Sequence, residues 1–456
     1  MRATVILKSD WREPVEVLAA CADKPFSIGF LSDGGERGRW SYVLNAPADV
    51  LVVDTDDRRD PFAAMSRRLG PRVRGVTDGP PFQGGLAGLM GYELGARIEP
   101  VGHMGHPQWP DLACGLYSQV LAFDHHRREV VAVGRGEDDV EALARARSTL
   151  ALAQGAPALA ELRDGPLTGD FETRTPGEVY EASVASVVQR IAAGEIFQAN
   201  IARAWAGRLI PGVRPFDLFR RLAGDSPAPF AAYFRLPGRA VVSNSPERFV
   251  AVSDRGELHV ETRPIKGTRP RGATAERDEA LKLELIGCDK DRAENLMIVD
   301  LMRNDLSRVC PAGAVAVTEL FRIETFANVH HLVSTVTGRL APGLGAIDLF
   351  EAAFPPGSIT GAPKIQAMKV IADYEGPRGP YCGAMFWAGF DGGCDSSVLI
   401  RTVGFLEDPE GWGFEARAGA GIVADSNPHE ERLETEAKIN ALQRAFLGAA
   451  PAGGRG

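Results

Sequence analysis

A chain of 456 residues, 45% hydrophobic and 24% charged, has an ordinary globular composition and can bury a substantial core, in one large intertwined domain or two to three smaller ones. Its formal net charge of −9 argues against nucleic acid as a partner, and no apolar run approaches the ~20 residues of a membrane span. Cysteines at 21, 114, 288, 310, 382 and 394 form no C-x-x-C pair, and charge returns at Lys8, too soon for a signal peptide, so a soluble cytoplasmic protein with reduced thiols is expected.

In chain order, Val50–Val53 reads as a strand and residues 137–154 as an Ala/Leu/Arg helix, after which Gly155 to Asp170 is rich in Gly, Pro and Ala with little periodicity. The expected division is an N-terminal region over 1–155, a linker over 156–174, a main part over 175–448 and a flexible tail over 449–456. Thr175-Pro176-Gly177-Glu178 reads as a capping box, and Tyr180, Val184, Val187, Val188 and Ile191 continue it at helical spacing, predicting a helix over 176–193 and a short strand over 195–200. Further strand-like runs at 240–242, 249–252 and 398–403 alternate irregularly with helices, which means α+β and not a regular βαβ series.

The stretch VVSNSPERFVAVSDRGELHVETRPIKGT, Val241 to Thr268, predicts a β-hairpin about Asp254-Arg255-Gly256. Symmetric pairing sets Glu247 opposite Pro264, with Lys266 two residues farther along, ~7 Å at strand rise. By spacing alone these are solvated rim charges; chemically, an amine beside a general acid also suits covalent catalysis. Glu294 lies in a predicted helix from Asp289 to Leu306, and a C-terminal helix capped by Asn427 carries Glu431, Glu434 and Lys438 on one face. Glu434 and Lys438 have the spacing of a surface ion pair, but carboxylates from these two helices could instead hold one hard cation. The loop from Phe354 to Lys364 could offer backbone N–H groups to an anion or be a plain turn, and Thr268-Arg269-Pro270-Arg271-Gly272 reads as a solvated basic loop. Cys382 lacks the glycine two places earlier that a nucleophile turn requires, and the adjacent His330 and His331 precede an apolar run at 332–336, where a satisfied core histidine is the ordinary outcome.

Taken in order, PFQGGLAGLMGYELGARIE (81–99), SPERF (245–249), RPIKGTRPRG (263–272), DRAENLMIVDLMRNDLSRV (291–309), HLVSTVTG (331–338), GSITGAPK (357–364), IRT (400–402), AGAGIVADS (418–426) and ETEAK (434–438) resemble the chorismate-utilising enzymes, among them the anthranilate, aminodeoxychorismate, isochorismate and salicylate synthases. The resemblance implies an anthranilate synthase component I-like α+β fold, in which two interleaved subdomains stack antiparallel sheets flanked by helices, with 175–448 the chorismate-binding part. It implies Mg²⁺ on Glu294 and Glu434, with Glu431 near the metal or its waters, and the ring carboxylate of chorismate on the metal. Tyr381 and Arg401 would contact the other carboxylate, while Thr360, Gly361, Ala362, Gly419, Gly421 and Lys438 would bind the substrate around it. Glu247 would be the general acid and His331 the family's active-site histidine.

Lys266 selects the branch of the family. RPIAGT resembles the anthranilate branch, whereas RPIKGT resembles the branch that aminates chorismate at C4, on the way to para-aminobenzoate and folate. There the lysine adds to C2 as the C4 hydroxyl leaves, ammonia adds at C4 and the lysine is expelled. A separate glutamine amidotransferase subunit would supply the ammonia. The alternatives are an anthranilate synthase component I and a non-catalytic chorismate-binding regulatory subunit. Phe386-Trp387 stands where relatives more often carry Gly-Tyr, and AGAGIV is shared with the anthranilate branch. Leu31-Ser32-Asp33 departs from the Leu-Glu-Ser pattern of tryptophan-feedback sites, so tryptophan regulation is not expected.

Overall fold

Two antiparallel sheets organise the chain, in a computed structural model that describes residues 3–35, 38–102, 105–162, 164–254, 256–326 and 329–448. The expected tail over 449–456, and Arg255 of the hairpin turn, lie outside the described residues. In the first sheet the strands run in the order Ala3–Asp10, Glu129–Gly136, Gln119–Asp124, Trp40–Leu44, Ile28–Leu31, Phe230–Leu236, Arg239–Ser245, Thr402–Asp408, Gly411–Ile422, Gln198–Arg208 and Gly361–Ala362. The second runs Ile265–Pro270, Val329–Arg339, Leu258–Thr262, Arg248–Asp254, Cys394–Val398, Ala384–Gly389, Gly85–Met90, Leu112–Tyr117 and Asp49–Val53. The N-terminal third feeds both: Ile28–Leu31 pairs with Phe230–Leu236, and Gly85–Met90 pairs with Ala384–Gly389.

The sheets face one another across a shared core in which Tyr42, Val120, Phe234 and Val241 of the first meet Ala87, Leu89, Met385 and Trp387 of the second. Each fully buried large side chain contributes about 1.5–3 kcal/mol of hydrophobic stabilisation. Helices cover the outer faces. Asp289–Ser307 buries Ile298, Val299, Met302 and Leu306 under the second sheet, and Pro428–Leu447 buries Ile439, Leu442 and Phe446 against the first. Asn427 starts the latter helix as expected, its Oδ1 accepting the His429 and Glu430 N–H groups at 3.0 and 3.2 Å. Ile265–Pro270 ends one sheet and Gly361–Ala362 ends the other. Open strand edges carry unpaired backbone groups, and here the edges bracket the place where the candidate residues gather.

Local expectations were shifted by tertiary pairing. The helix spans Gly177–Ala192 behind Pro176 with no side-chain cap, because the Thr175 hydroxyl accepts the Ala204 N–H at 3.3 Å. The strand expected over 195–200 is the start of Gln198–Arg208. The run at 398–403 divides between the sheets, Cys394–Val398 in one and Thr402–Asp408 in the other, with Arg401 at φ +51° between them. The hairpin keeps only Arg248–Asp254 and Leu258–Thr262; Arg239–Ser245 belongs to the other sheet. Its register is centred on Gly256, which has φ +93°, with Val252 opposite Val260 and Asp254 opposite Leu258, one residue on from the expected pairing. Glu247 lies beyond the paired residues, and it is the Ile265 N–H, not Pro264, that its carboxyl meets.

Candidate active site

Glu247 occupies the crossing from Ser245 to Arg248, where the chain leaves one sheet for the other, and its backbone is fixed on both sides: its N–H donates to Ser245 Oγ at 3.2 Å and its carbonyl accepts the Val398 N–H at 3.0 Å. Its side chain is buried. Burial pushes the carboxyl up to about 7, against the opposing pull of a Ser358 hydrogen bond, the Lys266 ammonium and the Ile265 N–H. On the adjoining edge strand Lys266 Nζ donates to the Ser358 carbonyl at 3.2 Å. Acid and amine thus meet at one residue of the loop 357–364.

Ser358 belongs to a tightly built loop. Thr360 is fully buried and its hydroxyl donates back to the carbonyls of Pro356 and Gly357, at 3.2 and 3.3 Å, which orients the loop. Gly361 and Ala362 pair with Ala199 and Gln198. Gly361 has φ +142°, and a β-carbon there would sit 2.1 Å from the Gln198 carbonyl oxygen. Gly361→Ala is accordingly expected to cost roughly 2–3 kcal/mol, through backbone strain and loss of this pairing, read as a lower urea midpoint; an unshifted midpoint would show that the loop does not depend on the close approach.

Gly419 and Gly421 lie on one face of the neighbouring strand. A β-carbon on Gly421 would lie 2.7 Å from Gln198 Nε2 and 3.7 Å from Lys266 Nζ, and one on Gly419 would lie 2.6 Å from Asn200 Oδ1 and 3.0 Å from the Tyr381 hydroxyl. The glycines leave space that side chains would fill. Arg401 is partly buried, its pKa lowered by desolvation, and among the described residues no carboxylate pairs with it. An anionic ligand would satisfy it. Nearby His331 is buried, its Nδ1 2.9 Å from Thr268 Oγ1, and burial followed by the Arg401 charge holds its pKa down to about 3, so the ring is neutral at neutral pH. His330 faces the other way and is satisfied in the core, Nε2 and Nδ1 each 2.9 Å from Asp278 Oδ1 and Thr325 Oγ1 respectively. The basic loop is ion-paired more than solvated: Arg269 with Glu284 and Asp291, Arg271 with Asp278.

Glu294, Glu431 and Glu434 face this group from the two covering helices. Burial raises the Glu294 carboxyl, opposed by Lys266 and Lys290 and reinforced by Glu434. Glu431, whose Oε1 accepts from Ser426 Oγ at 2.7 Å, is also raised by burial, with Glu434 adding to the shift. For Glu434 burial is outweighed by Lys438, Lys266 and Lys290 together; Lys438 Nζ stands 2.6 Å from it and 2.9 Å from the Gly419 carbonyl oxygen. Carboxylates gathered so that the Glu434 charge raises both Glu294 and Glu431, all offering hard oxygen donors, fit a divalent cation such as Mg²⁺. Among the described residues no three His, Cys, Asp or Glu side chains stand close enough to hold a metal unaided. Such a cation would complete its shell with water and substrate oxygens, as Mg²⁺ commonly does.

Two residues escaped the sequence reading. Gln198 and Asn200 are buried on one face of their strand, and the Gln198 side-chain amide nitrogen and oxygen and Asn200 Oδ1 find no hydrogen-bond partner among the described residues. Their signal was a polar pair spaced by two, flanked by the buried Ala199 and Ile201. A separate cavity of about 670 Å³, lined by Leu31, Trp40, Phe230, Met385 and Trp387 among others, backs onto the site at Pro246 and Ile265 but is lined by none of the candidate residues. Trp387, one of the departures from the family wording, stacks on Phe82 at 5.0 Å in its wall. Among the described residues no helix is long and apolar enough to cross a membrane.

Residues 29–444 match the family described as chorismate binding enzyme. The chain is 42% identical over 365 residues to aminodeoxychorismate synthase component 1 of Klebsiella aerogenes, covering 79% of this chain and 77% of that one. It is 36% identical over 482 aligned positions to anthranilate synthase component 1 of Synechocystis sp., covering 96% and 94%. The solved anthranilate synthase component I of Streptococcus pneumoniae superposes with a TM-score of 0.76 at 29% identity, over 89% of this chain and 92% of that one.

Proposed function

Because the chain belongs to the chorismate-binding enzyme family, we propose that it replaces the C4 hydroxyl of chorismate with an amino group, as the name of its Klebsiella relative describes, forming 4-amino-4-deoxychorismate. The observation that carries this is the meeting of Lys266 Nζ and the raised Glu247 carboxyl at Ser358.

In this reading Arg401 and the Tyr381 hydroxyl take one substrate carboxylate. Glu294 and Glu434 would hold Mg²⁺, with Glu431 near it, and Lys438 sits beside them. Bound there, the ion supplies positive charge for the ring carboxylate. Gly361, Ala362, Gly419 and Gly421 keep the ring space open, Thr360 fixes the loop, and neutral His331 sits beside the Arg401 end. Lys266, as the free amine, bonds through Nζ to C2, the two ring double bonds each move one place towards C4, and the C4–O bond breaks as Glu247 protonates the departing hydroxyl, releasing water. Ammonia then bonds to C4, the double bonds move back, the C2–N bond breaks and Glu247 regains a proton. A glutamine amidotransferase subunit supplies the ammonia in a cytoplasmic assembly serving para-aminobenzoate and folate synthesis, and free ammonia at high concentration substitutes for it.

Incubation with chorismate, Mg²⁺ and ammonium, followed by mass spectrometry, is expected to give the C4-aminated product without pyruvate. Anthranilate with pyruvate as the main products would transfer the chain to the anthranilate branch. Absence of any turnover would leave it a chorismate-binding regulatory subunit.

A further inference from the structure

Arg378 is almost wholly buried behind the site, and its guanidinium reaches three separate segments. Nε and Nη2 donate to the two carboxylate oxygens of Glu375 at 3.0 and 2.7 Å. Nη2 also donates to the Asn200 carbonyl at 2.7 Å, and Nη1 to the Ile359 carbonyl at 3.4 Å. The same guanidinium lies over the Tyr92 and Tyr381 rings, 4.7 and 5.7 Å from their centroids. Glu375 in turn accepts the Ala202 N–H at 2.7 Å. From the N-terminal third, Glu93 grips the backbone of the same turn: its two carboxylate oxygens accept the Arg378 and Gly379 N–H groups at 2.6 and 3.0 Å, and Tyr92 N–H donates to the Gly379 carbonyl at 2.9 Å.

We propose that Arg378, clamped by Glu375 and with its turn gripped by Glu93, is a positioning residue for substrate affinity: it fixes the Tyr381 phenol relative to the strand at Asn200 and the loop at Ile359. The inference rests on Tyr381 contacting a substrate carboxylate. Its rationale is geometric. A buried ion pair is weak evidence of net stabilisation, since apolar replacements of similar volume are often as stable, whereas a planar fork with several donors specifies the relative placement of the groups it joins. The three segments joined here all border the site, and two of them carry candidate substrate contacts. A lysine holds one point of charge and cannot reproduce the set.

The experiment uses Arg378→Lys and Glu93→Gln in the full chain, each alone and combined with Tyr381→Phe, measuring equilibrium chorismate binding and steady-state kinetics with ammonium. Both single variants are expected to weaken chorismate binding and raise KM about 10- to 100-fold, the worth of a hydrogen bond to a charged group, with kcat changed less than about threefold. Glu93→Gln keeps the shape of the side chain, so it serves if Arg378→Lys does not fold. In the Tyr381→Phe background the additional loss is expected to shrink to less than about threefold, because the effect passes through the phenol. Additive losses, or a fall in kcat at unchanged KM, would overturn the positioning role. Wild-type chain that does not bind chorismate would overturn the functional reading beneath it, an outcome distinct from either.

Discussion

Lys266→Ala is expected to lower C4 amination on the order of 10³-fold or more, because removing the nucleophile of a covalent mechanism removes the route and not merely one contact. Nζ donates to the Ser358 carbonyl at 3.2 Å and lies beside Gly421, where a missing side chain leaves room for the ring. The alanine variant keeps Glu247, Glu294, Glu434 and Arg401, so in the proposed mechanism it is expected still to bind chorismate and to protonate the C4 hydroxyl. What changes is C2, which becomes open to ammonia, and the residual product is expected to be aminated there. Intact-mass spectrometry gives a second reading: wild-type chain with chorismate but no ammonia should gain the mass of chorismate less one water, and the variant should gain nothing. Wild-type turnover in the variant would remove the covalent-lysine mechanism while leaving the family membership untouched.

Much of the site was legible because it is written in local rules. Asn427 and Pro428 are strong helix-start signals, so helical periodicity alone puts Glu431, Glu434 and Lys438 on one face, and the Glu434–Lys438 ion pair forms as its spacing suggests. The helix carrying Glu294 was equally plain, expected from Asp289 to Leu306 and found over Asp289–Ser307. The convergence of Glu247 and Lys266 was inferred from a hairpin that is only partly real. Lys266 lies on a further strand that pairs with Val329–Arg339, and the two residues meet because both approach Ser358, from 92 residues away in the case of Lys266.

The remainder depends on which strand lies beside which, and no period in the sequence encodes that. Nothing near Thr175 announces that Ala204 will take its hydroxyl, and the strand-like run at 398–403 gave no hint that Arg401 would turn the chain from one sheet into the other. Gln198 and Asn200 stand out only once burial and the lack of a partner among the described residues are visible. Arg378, Glu375 and Glu93 carry no local signal, since the grip of Glu93 on Arg378 spans 285 residues.

Glu247→Gln is expected to separate activity from stability. In the proposed mechanism the acid form of Glu247 is needed when the hydroxyl departs, and with its pKa pushed up to about 7 that form persists at neutrality. Above that point the wild-type rate should fall towards tenfold per pH unit. The glutamine variant should be about 10²- to 10⁴-fold slower and lack this alkaline limb. His331, held down to about 3, cannot supply such a limb. Glu93 is also raised to about 7 by burial, but it is present in both proteins and cancels from the comparison. Stability follows pH in the same direction, but there the substitution is favourable. Since the folded-state pKa lies above the ordinary glutamate value of 4.5, stability from this group is fully present below about pH 4.5 and is lost as pH rises through about 7, where the buried carboxyl must ionise. A glutamine never ionises. By urea titration the variant should therefore outlast the wild type near pH 8 by up to about 3 kcal/mol relative to their difference near pH 4. An alkaline limb retained in the variant, or a stability difference that does not move with pH, would show that Glu247 is neither the proton donor nor a strained carboxyl.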